Sequence, residues 1–367
     1  KNINLYRDLE LYSRLTADKK IIAVTGTNGK STTTKMISEL LDISKNKNFL
    51  GGNFGIPLLD FPLKKNKIIY HVIELSSYQL ESNTSFNPYI SIILNIFPDH
   101  LDRYNNFDEY ALQKEKIINK NAYNIVCVDD KKTFAIYKKN KKKIIPISKK
   151  KIDNGIYYKD NCIIDNYFKN SNDNNNLIIS DISDSLFGSF NIENILATYV
   201  VSKLLNIDNK CFLDLIKNFK GLPHRLEKLY QNKYFQIINN SKATNIHASL
   251  NSILNYDNVN LILGGRAKEK NFSKFTNHVD KINKIYLIGE SSTYIYQQLH
   301  KKINCEIFKN LETATKKIFK DIKKKKNFQT ILLSPACSSF DQFKNFEDRG
   351  LQFKNLTSSL TEKLINE

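Results

Sequence analysis

The chain has no run of apolar residues approaching the roughly 18 needed to cross a bilayer, which excludes a helical membrane span. Its first residues lack the pattern of a secretory signal. Cysteine is scarce and scattered. Cys127, Cys162, Cys211, Cys305 and Cys337 are odd in number and far apart, and no C-x-x-C pair occurs. That excludes a disulfide framework and a cysteine zinc site, and reduced cytoplasm is the expected compartment. Arginine is sparse beside lysine, and no aromatic-interleaved basic motif appears. The net charge of +19 therefore does not read as a nucleic-acid footprint. Lys, Asn and Ile, the residues of AT-rich codons, saturate the chain, and most runs such as Lys141 to Lys143 and Lys149 to Lys151 read as solvated loops and helix faces. The same field favours anionic small substrates. The 367 residues, 41% hydrophobic and 25% charged, are enough for two full-sized domains.

One stretch organises what is present. The apolar run Ile21 to Val24 reads as a buried strand and Thr33 to Leu41 as a helix; between them lies Thr25-Gly26-Thr27-Asn28-Gly29-Lys30-Ser31-Thr32. A strand, a Gly turn and a helix opening on Lys-Ser form a phosphate-binding loop. Glycines let backbone N–H groups close around phosphate oxygens, and the helix N-terminus adds unpaired donors and partial positive charge. Lys30 meets the β- and γ-phosphates, and Ser31 offers a hydroxyl to Mg²⁺. The spacing is off the standard G-x-x-x-x-G-K-[ST], whose first Gly falls on Val24; Gly26 comes two residues late. An ordinary strand–turn–helix corner is the competing reading.

Downstream, strands alternate with helices. Ile68 to Leu75 ends in Glu74-Leu75-Ser76-Ser77, Ile90 to Ile96 ends in Pro98-Asp99-His100, and Ile125 to Val128 follows a helical stretch. Alternation of this kind implies a parallel α/β sheet, with functional groups at the strand ends. Residues 144–181 read as a small antiparallel excursion. Gly221-Leu222-Pro223-His224-Arg225 interrupts the helical pattern and is the expected domain boundary. The alternation then restarts through Phe235 to Asn239, Ala248 to Leu254, Asn260 to Leu263, Ile285 to Ile288 and Thr330 to Leu333. The expected domains are a remnant at 1–15, a central unit at 16–220 and a C-terminal unit at 221–367.

Several strand-end residues suit chemistry. Glu74 could hold Mg²⁺ carrying nucleotide phosphates, or be a solvated strand-end Glu. His100, between Asp99 and Asp102, could be a metal ligand, a phosphate contact or a loop histidine. His71, His247, His278 and His300 read as structural or surface. Nothing in the spacing distinguishes Lys114 from the other lysines. Arg225 is an Arg in a Lys-rich chain, and its planar fork suits phosphate. Three polar turns follow strands in the C-terminal half: Asn239 to Asn245, Gly264 to Lys268 and Ser334 to Phe343. They point to one shared anion-binding pocket. Cys337 has no His partner and reads as buried packing.

Together these runs resemble the Mur ligases. The carriers are Thr25 to Thr32, Glu74 to Leu80, Asn95 to Tyr104, Gly221 to Glu227, Asn240 to Asn245 and Ser334 to Gly350. The loop is shared with folylpolyglutamate synthetases; Ser241-Lys242-Ala243-Thr244-Asn245 and Ser334 to Phe343 point to the branch that adds D-glutamate. The resemblance implies a central P-loop parallel-sheet ATPase domain followed by a C-terminal Rossmann-like α/β domain. It implies a cytoplasmic, monomeric enzyme of peptidoglycan synthesis. That enzyme joins D-glutamate to UDP-N-acetylmuramoyl-L-alanine through an acyl phosphate, with ATP and two Mg²⁺ ions. Gly26, Thr27, Asn28, Gly29, Lys30, Ser31, Thr32, Asn194, Arg225, Asn240 and Lys242 would then contact ATP. Ser31, Glu74, His100 and Lys114 would hold metal, with Lys114 carbamylated and Lys30 stabilising the moving phosphoryl group. Asn53 and His100 would contact the uridine-nucleotide substrate, and Thr244, Lys268, Ser339 and Phe346 the D-glutamate. The chain departs from the family in three places. The family's N-terminal UDP-binding domain, roughly a hundred residues, has only a possible tail here; Asn240 replaces the usual Asp; and Phe190 replaces the usual His. A folylpolyglutamate-type ligase and a nucleotide-binding module without ligase activity are the rival readings.

Overall fold

A computed structural model describes residues 7–61, 68–81, 86–99, 103–168, 176–186, 188–323, 325 and 327–366. His100, and with it the metal and substrate roles expected of it, lies outside the described residues. The chain divides into two compact units, one running to Lys220 and one starting at Gly221.

The first unit is built in chain order from α1 (Asp8–Leu15), β1 (Lys20–Thr25), α2 (Lys30–Ile43), β2 (Asn48–Gly52), β3 (Tyr70–Glu74), α3 (Ser77–Glu81), β4 (Ile90–Ile93), α4 (Phe107–Glu115), β5 (Tyr123–Cys127), α5 (Lys131–Asn140), β6 (Ile144–Ser148), β7 (Ile156–Lys159), β8 (Cys162–Asp165), β9 (Asn176–Ile178), α6 (Ile192–Leu204) and α7 (Asn209–Asn218). The described strands form one sheet in the order β2-β3-β1-β4-β5-β6-β7-β8-β9. Pairing is parallel from β2 to β7, and β8 and β9 add antiparallel. The antiparallel excursion expected over 144–181 is therefore shorter than its sequence suggests: β6 belongs to the parallel sheet, and the reversal begins at the turn after β7.

β1 is a continuous apolar run because both its faces are covered. Ile22 and Val24 enter a cluster with Met36 of α2, Leu196 of α6 and Phe212 of α7. Ile21 and Ala23 enter the opposite cluster with Tyr12 of α1, Leu80 of α3 and Tyr110 of α4. Helix α1 thus packs on this unit. Its Tyr12 hydroxyl lies 2.6 Å from His71 Nδ1, and Phe49 and Phe61 close around the imidazole.

The second unit contains β10 (Glu227–Gln231), β11 (Phe235–Asn239), α8 (Ile246–Ile253), β12 (Val259–Gly264), β13 (Ile282–Ile288), α9 (Ser292–Leu299), β14 (Cys305–Ile307), α10 (Leu311–Ile322), β15 (Gln329–Leu333) and α11 (Phe346–Asn366). Its sheet runs β10-β11-β15-β12-β13-β14, parallel except for the β10–β11 pair. Leu261 and Leu263 face a cluster containing Ile253 of α8 and Ile295 of α9, whereas Ile262 faces Ile318 of α10 and Phe353 of α11. Both units are helix–sheet–helix layers, the doubly wound arrangement in which ligands lie beyond the carboxyl ends of the parallel strands. No described helix is long and apolar enough to cross a membrane.

His71 is fully buried, its Nε2 has no hydrogen-bond partner, and burial pushes its pKa from 6.5 down to about 4. The unfolded chain therefore takes up this proton first. The contribution is complete above pH 6.5 and is lost as the pH falls toward 4, by at most about 3 kcal/mol. His71→Asn, which keeps an acceptor near the Nδ1 position, should flatten the fall in stability over that window. Urea denaturation of both proteins at stepped pH measures the difference.

Candidate active site

The phosphate loop leaves the carboxyl end of β1, between β3 and β4. Gly26 (φ 150°) and Gly29 (φ 86°) hold conformations that L side chains rarely adopt. Gly29 is also the N-cap of α2, and a Cβ there would lie against Asn194 Oδ1. Asn194, 2% exposed in α6, accepts from Thr33 Oγ1 at 2.9 Å and donates to Asn191 Oδ1 at 2.8 Å. The asparagine therefore rests on the floor of the loop.

Five further expected residues converge here. Lys30 Nζ donates to the carbonyls of Gly26 and Thr27, each at 3.0 Å, folded over its own loop. Ser31 Oγ donates to Glu74 Oε2. Glu74 is 2% exposed, so it is no solvated strand-end residue. Its other oxygen accepts from Asn53 Nδ2 at 2.8 Å. A serine hydroxyl and a carboxylate meeting beside a cationic loop form an all-oxygen donor set, which fits Mg²⁺. Lys114 is 2% exposed, and its Nζ donates to Gly26 O at 2.8 Å. The spacing of Lys114 gave no hint of this, because only the packing of α4 against the face of β1 aims that lysine at the loop.

The second unit gathers its expected residues on strand-end loops. Asn240 follows β11; its Oδ1 accepts from Leu226 N and its Nδ2 donates to Ser334 Oγ, both at 3.3 Å. An amide does both, whereas an Asp carboxylate would only accept. His224 (φ 62°) and Leu226 (φ 49°) flank Arg225 in left-handed conformations, so the turn that presents Arg225 is strained. Lys242 Nζ stands 3.6 Å from the centre of the Phe346 ring. Thr244 lies two residues further along that loop, half-buried, and Ser339 follows β15 and is 2% exposed. Lys268 is half-buried in the loop after β12.

Arg349 was not expected at this site. It is 1% exposed in α11 and donates to Ser241 Oγ at 3.0 Å, Ser241 O at 2.9 Å and Cys337 O at 3.1 Å. Burial pulls its guanidinium down to about 10. It ties the loop after β11 to the loop after β15, which bear Lys242, Thr244 and Ser339. Its signal was the one read at Arg225, an arginine in a chain that otherwise uses lysine.

The comparisons with known proteins agree with this architecture. The Mur ligase middle domain matches residues 24–202. A Rickettsia bellii protein called UDP-N-acetylmuramoylalanine–D-glutamate ligase is 37% identical over 372 residues, covering 98% of this chain and 80% of its own. A Wolbachia pipientis protein of the same name is 35% identical over 409 residues, covering 96% and 79%. Among solved structures, the MurF ligase of Thermotoga maritima in complex with ADP superposes with a TM-score of 0.69 at 18% identity, covering 97% of this chain and 84% of that one. A pseudomurein peptide ligase type C from Methanothermus fervidus gives 0.69 at 16%, covering 95% and 81%. At such identities these structures speak for the fold: a P-loop unit followed by a Rossmann-like unit. Fold and relatives together define an ATP-dependent amide ligase. The chain belongs to the Mur ligase family.

Two substitutions probe the geometry. Gly29→Ala forces an unfavourable φ and a clash with Asn194, and should weaken ATP binding at least about tenfold, because the loop must shift; calorimetric titration with ATP measures it. Arg349→Met leaves three buried acceptors without a donor and should cost about 2–4 kcal/mol of stability, read from urea denaturation.

Proposed function

We propose that this chain ligates D-glutamate to UDP-N-acetylmuramoyl-L-alanine at the expense of ATP, in peptidoglycan precursor synthesis in the cytoplasm. The observation that carries the reading is the convergence of Lys30, Ser31 and Glu74 at the ends of β1 and β3, in a chain 35–37% identical to named D-glutamate ligases over nearly its whole length.

The substrate carboxylate attacks the γ-phosphorus of ATP, ADP leaves, and an acyl phosphate forms. The D-glutamate amine then attacks the acyl carbon, loses a proton, and expels phosphate as the amide forms. The chain contributes alignment and charge more than covalent chemistry. Lys30 exchanges the loop carbonyls for phosphate oxygens, so its ammonium follows the charge that moves in transfer. The N–H groups opening α2 point at the same oxygens. Asn194 and Thr33 keep the loop floor rigid beneath them.

Ser31 and Glu74 would hold Mg²⁺, which would offset repulsion between the nucleotide and the attacking carboxylate. A second ion would fall to His100 and Lys114. Carbamylation would exchange the Lys114 ammonium, now a donor to Gly26, for two acceptor oxygens. Asn53, whose amide donates to Glu74, and His100 are assigned to the uridine-nucleotide substrate. The first unit is assigned to ATP. In the second, Arg225, Asn240 and Lys242 are assigned to ATP, and Thr244, Lys268, Ser339 and Phe346 to D-glutamate. Lys268 and the two hydroxyls suit a dicarboxylate. The protein is taken to act as a monomer.

The test is phosphate release from ATP with Mg²⁺, UDP-N-acetylmuramoyl-L-alanine and D-glutamate. Release should require both substrates and fall by about a thousandfold in Lys30→Ala, which removes the charge on the transferring group. Release no faster than in that variant, or equal release when a folate replaces the muramoyl substrate, would overturn the assignment.

A further inference from the structure

The first unit buries a carboxylate that the chemistry above does not use. Glu193, in the first turn of α6, is 5% exposed. One of its oxygens pairs with Lys149 Nζ, and the other accepts from Asn95 Nδ2 at 2.7 Å. Asn95, just past β4 and 6% exposed, is stitched to the phosphate loop at three points. Its carbonyl accepts from Thr27 N at 2.8 Å, its Oδ1 accepts from Asn28 N at 2.9 Å, and its Nδ2 donates to Asn28 O at 3.2 Å. The Asn95 carbonyl also stands 3.3 Å from where a Cβ on Gly26 would lie.

Glu193 reinforces the orientation of that amide, which the Asn28 N–H and carbonyl also select. Turned over, Asn95 would aim its carbonyl oxygen at the Glu193 carboxylate and the Asn28 carbonyl and its NH₂ at the Asn28 N–H, losing three hydrogen bonds and facing like against like. A carboxylate there accepts only, so it selects one orientation.

Lys149 is itself aimed. Asp129 accepts from Lys149 N at 2.8 Å and from Ser148 Oγ at 2.5 Å, fixing the turn after β6. Cys127, Asp129 and Glu193 lie close enough to suggest a metal site, but the Lys149 ammonium already pairs with Glu193 and balances one of the two carboxylates. The chain of contacts runs Lys149, Glu193, Asn95, Asn28, from a partly exposed cation to the main chain of the phosphate loop.

We propose that Glu193, anchored by Lys149, is a positioning residue for ATP: by fixing the amide of Asn95 it holds residues 26–28 in the shape that receives the phosphates. This rests on the loop binding ATP. Glu193 touches no reacting atom, so its loss acts on nucleotide binding and leaves the amino-acid side of the reaction alone. A carboxamide in its place can present NH₂ to Asn95 and gives up the charge that pairs with Lys149, so the loop loses that support.

The experiment measures ATP binding by calorimetry with Mg²⁺, together with KM for ATP and for D-glutamate. It compares the wild type with Lys30→Ala, Glu193→Gln, Lys149→Met and the double variant Glu193→Gln/Lys149→Met. Glu193→Gln should weaken ATP about tenfold while KM for D-glutamate stays within about twofold, the scale at which a supporting partner of a binding group acts. Lys149→Met, at a partly exposed position that tolerates change, should shift ATP affinity the same way and supplies the readout if the isosteric variant folds poorly. The double variant should bind ATP no worse than Glu193→Gln, because Lys149 acts only through Glu193. Unchanged ATP affinity in Glu193→Gln, or a parallel rise in both KM values, would overturn the proposal while leaving ligation by the loop intact. Equal ATP binding by the wild type and Lys30→Ala would instead remove the phosphate-loop reading, and this proposal with it.

Discussion

The site depends on one constraint: β1 ends between two parallel neighbours. Because β3 and β4 run in the same direction on either side of it, their carboxyl ends deliver Glu74 and Asn95 to the two flanks of the loop that leaves β1. Glu74 meets the Ser31 hydroxyl on one flank, and Asn95 clasps Thr27 and Asn28 on the other. An antiparallel neighbour would have carried its end to the far edge of the sheet. Parallel pairing in turn requires crossover connections, and helices on the two faces of β1 bring Lys114 of α4 and Asn194 of α6 to the loop from opposite sides.

Burial of charge follows from the same arrangement. Glu74, Lys114 and Glu193 each lose water and each find hydrogen-bonding partners around the loop. Burial raises the Glu193 carboxyl above its ordinary range, while Lys149 works against that shift. In the second unit Arg349 has the parallel task with neutral partners, the serine and backbone oxygens of two strand-end loops. Such groups cost desolvation energy, which is offset because each finds hydrogen-bond partners that fix a strand-end loop in one position.

The fold was largely legible, and the reasons are local. Buried parallel strands read as apolar runs, and β1, β3, β4, β5, β12, β13 and β15 each carry one over most of their length. Short or half-exposed strands such as β10 and β14 were not anticipated, since their residues alternate too briefly to announce a period. Ala248 to Leu254, apolar and preceded by Asn245, is a helix whose first turn is capped by that Asn side chain, which accepts from Ala248 N at 2.8 Å.

By itself the sequence determined the phosphate loop, its Lys-Ser opening, the strand-end positions of Glu74 and Asn240, and through a set of ordered motifs the family. Those depend on residue types at short spacing, where chain geometry alone dictates what neighbours what. Only the tertiary structure decided that Glu74 is buried against Ser31 and that Lys114, one lysine among dozens, reaches Gly26. It also decided that Glu193 and Arg349 stand behind the loops. Residues separated by tens of positions become partners only through the order in which parallel strands are laid side by side. No spacing within the chain records that order.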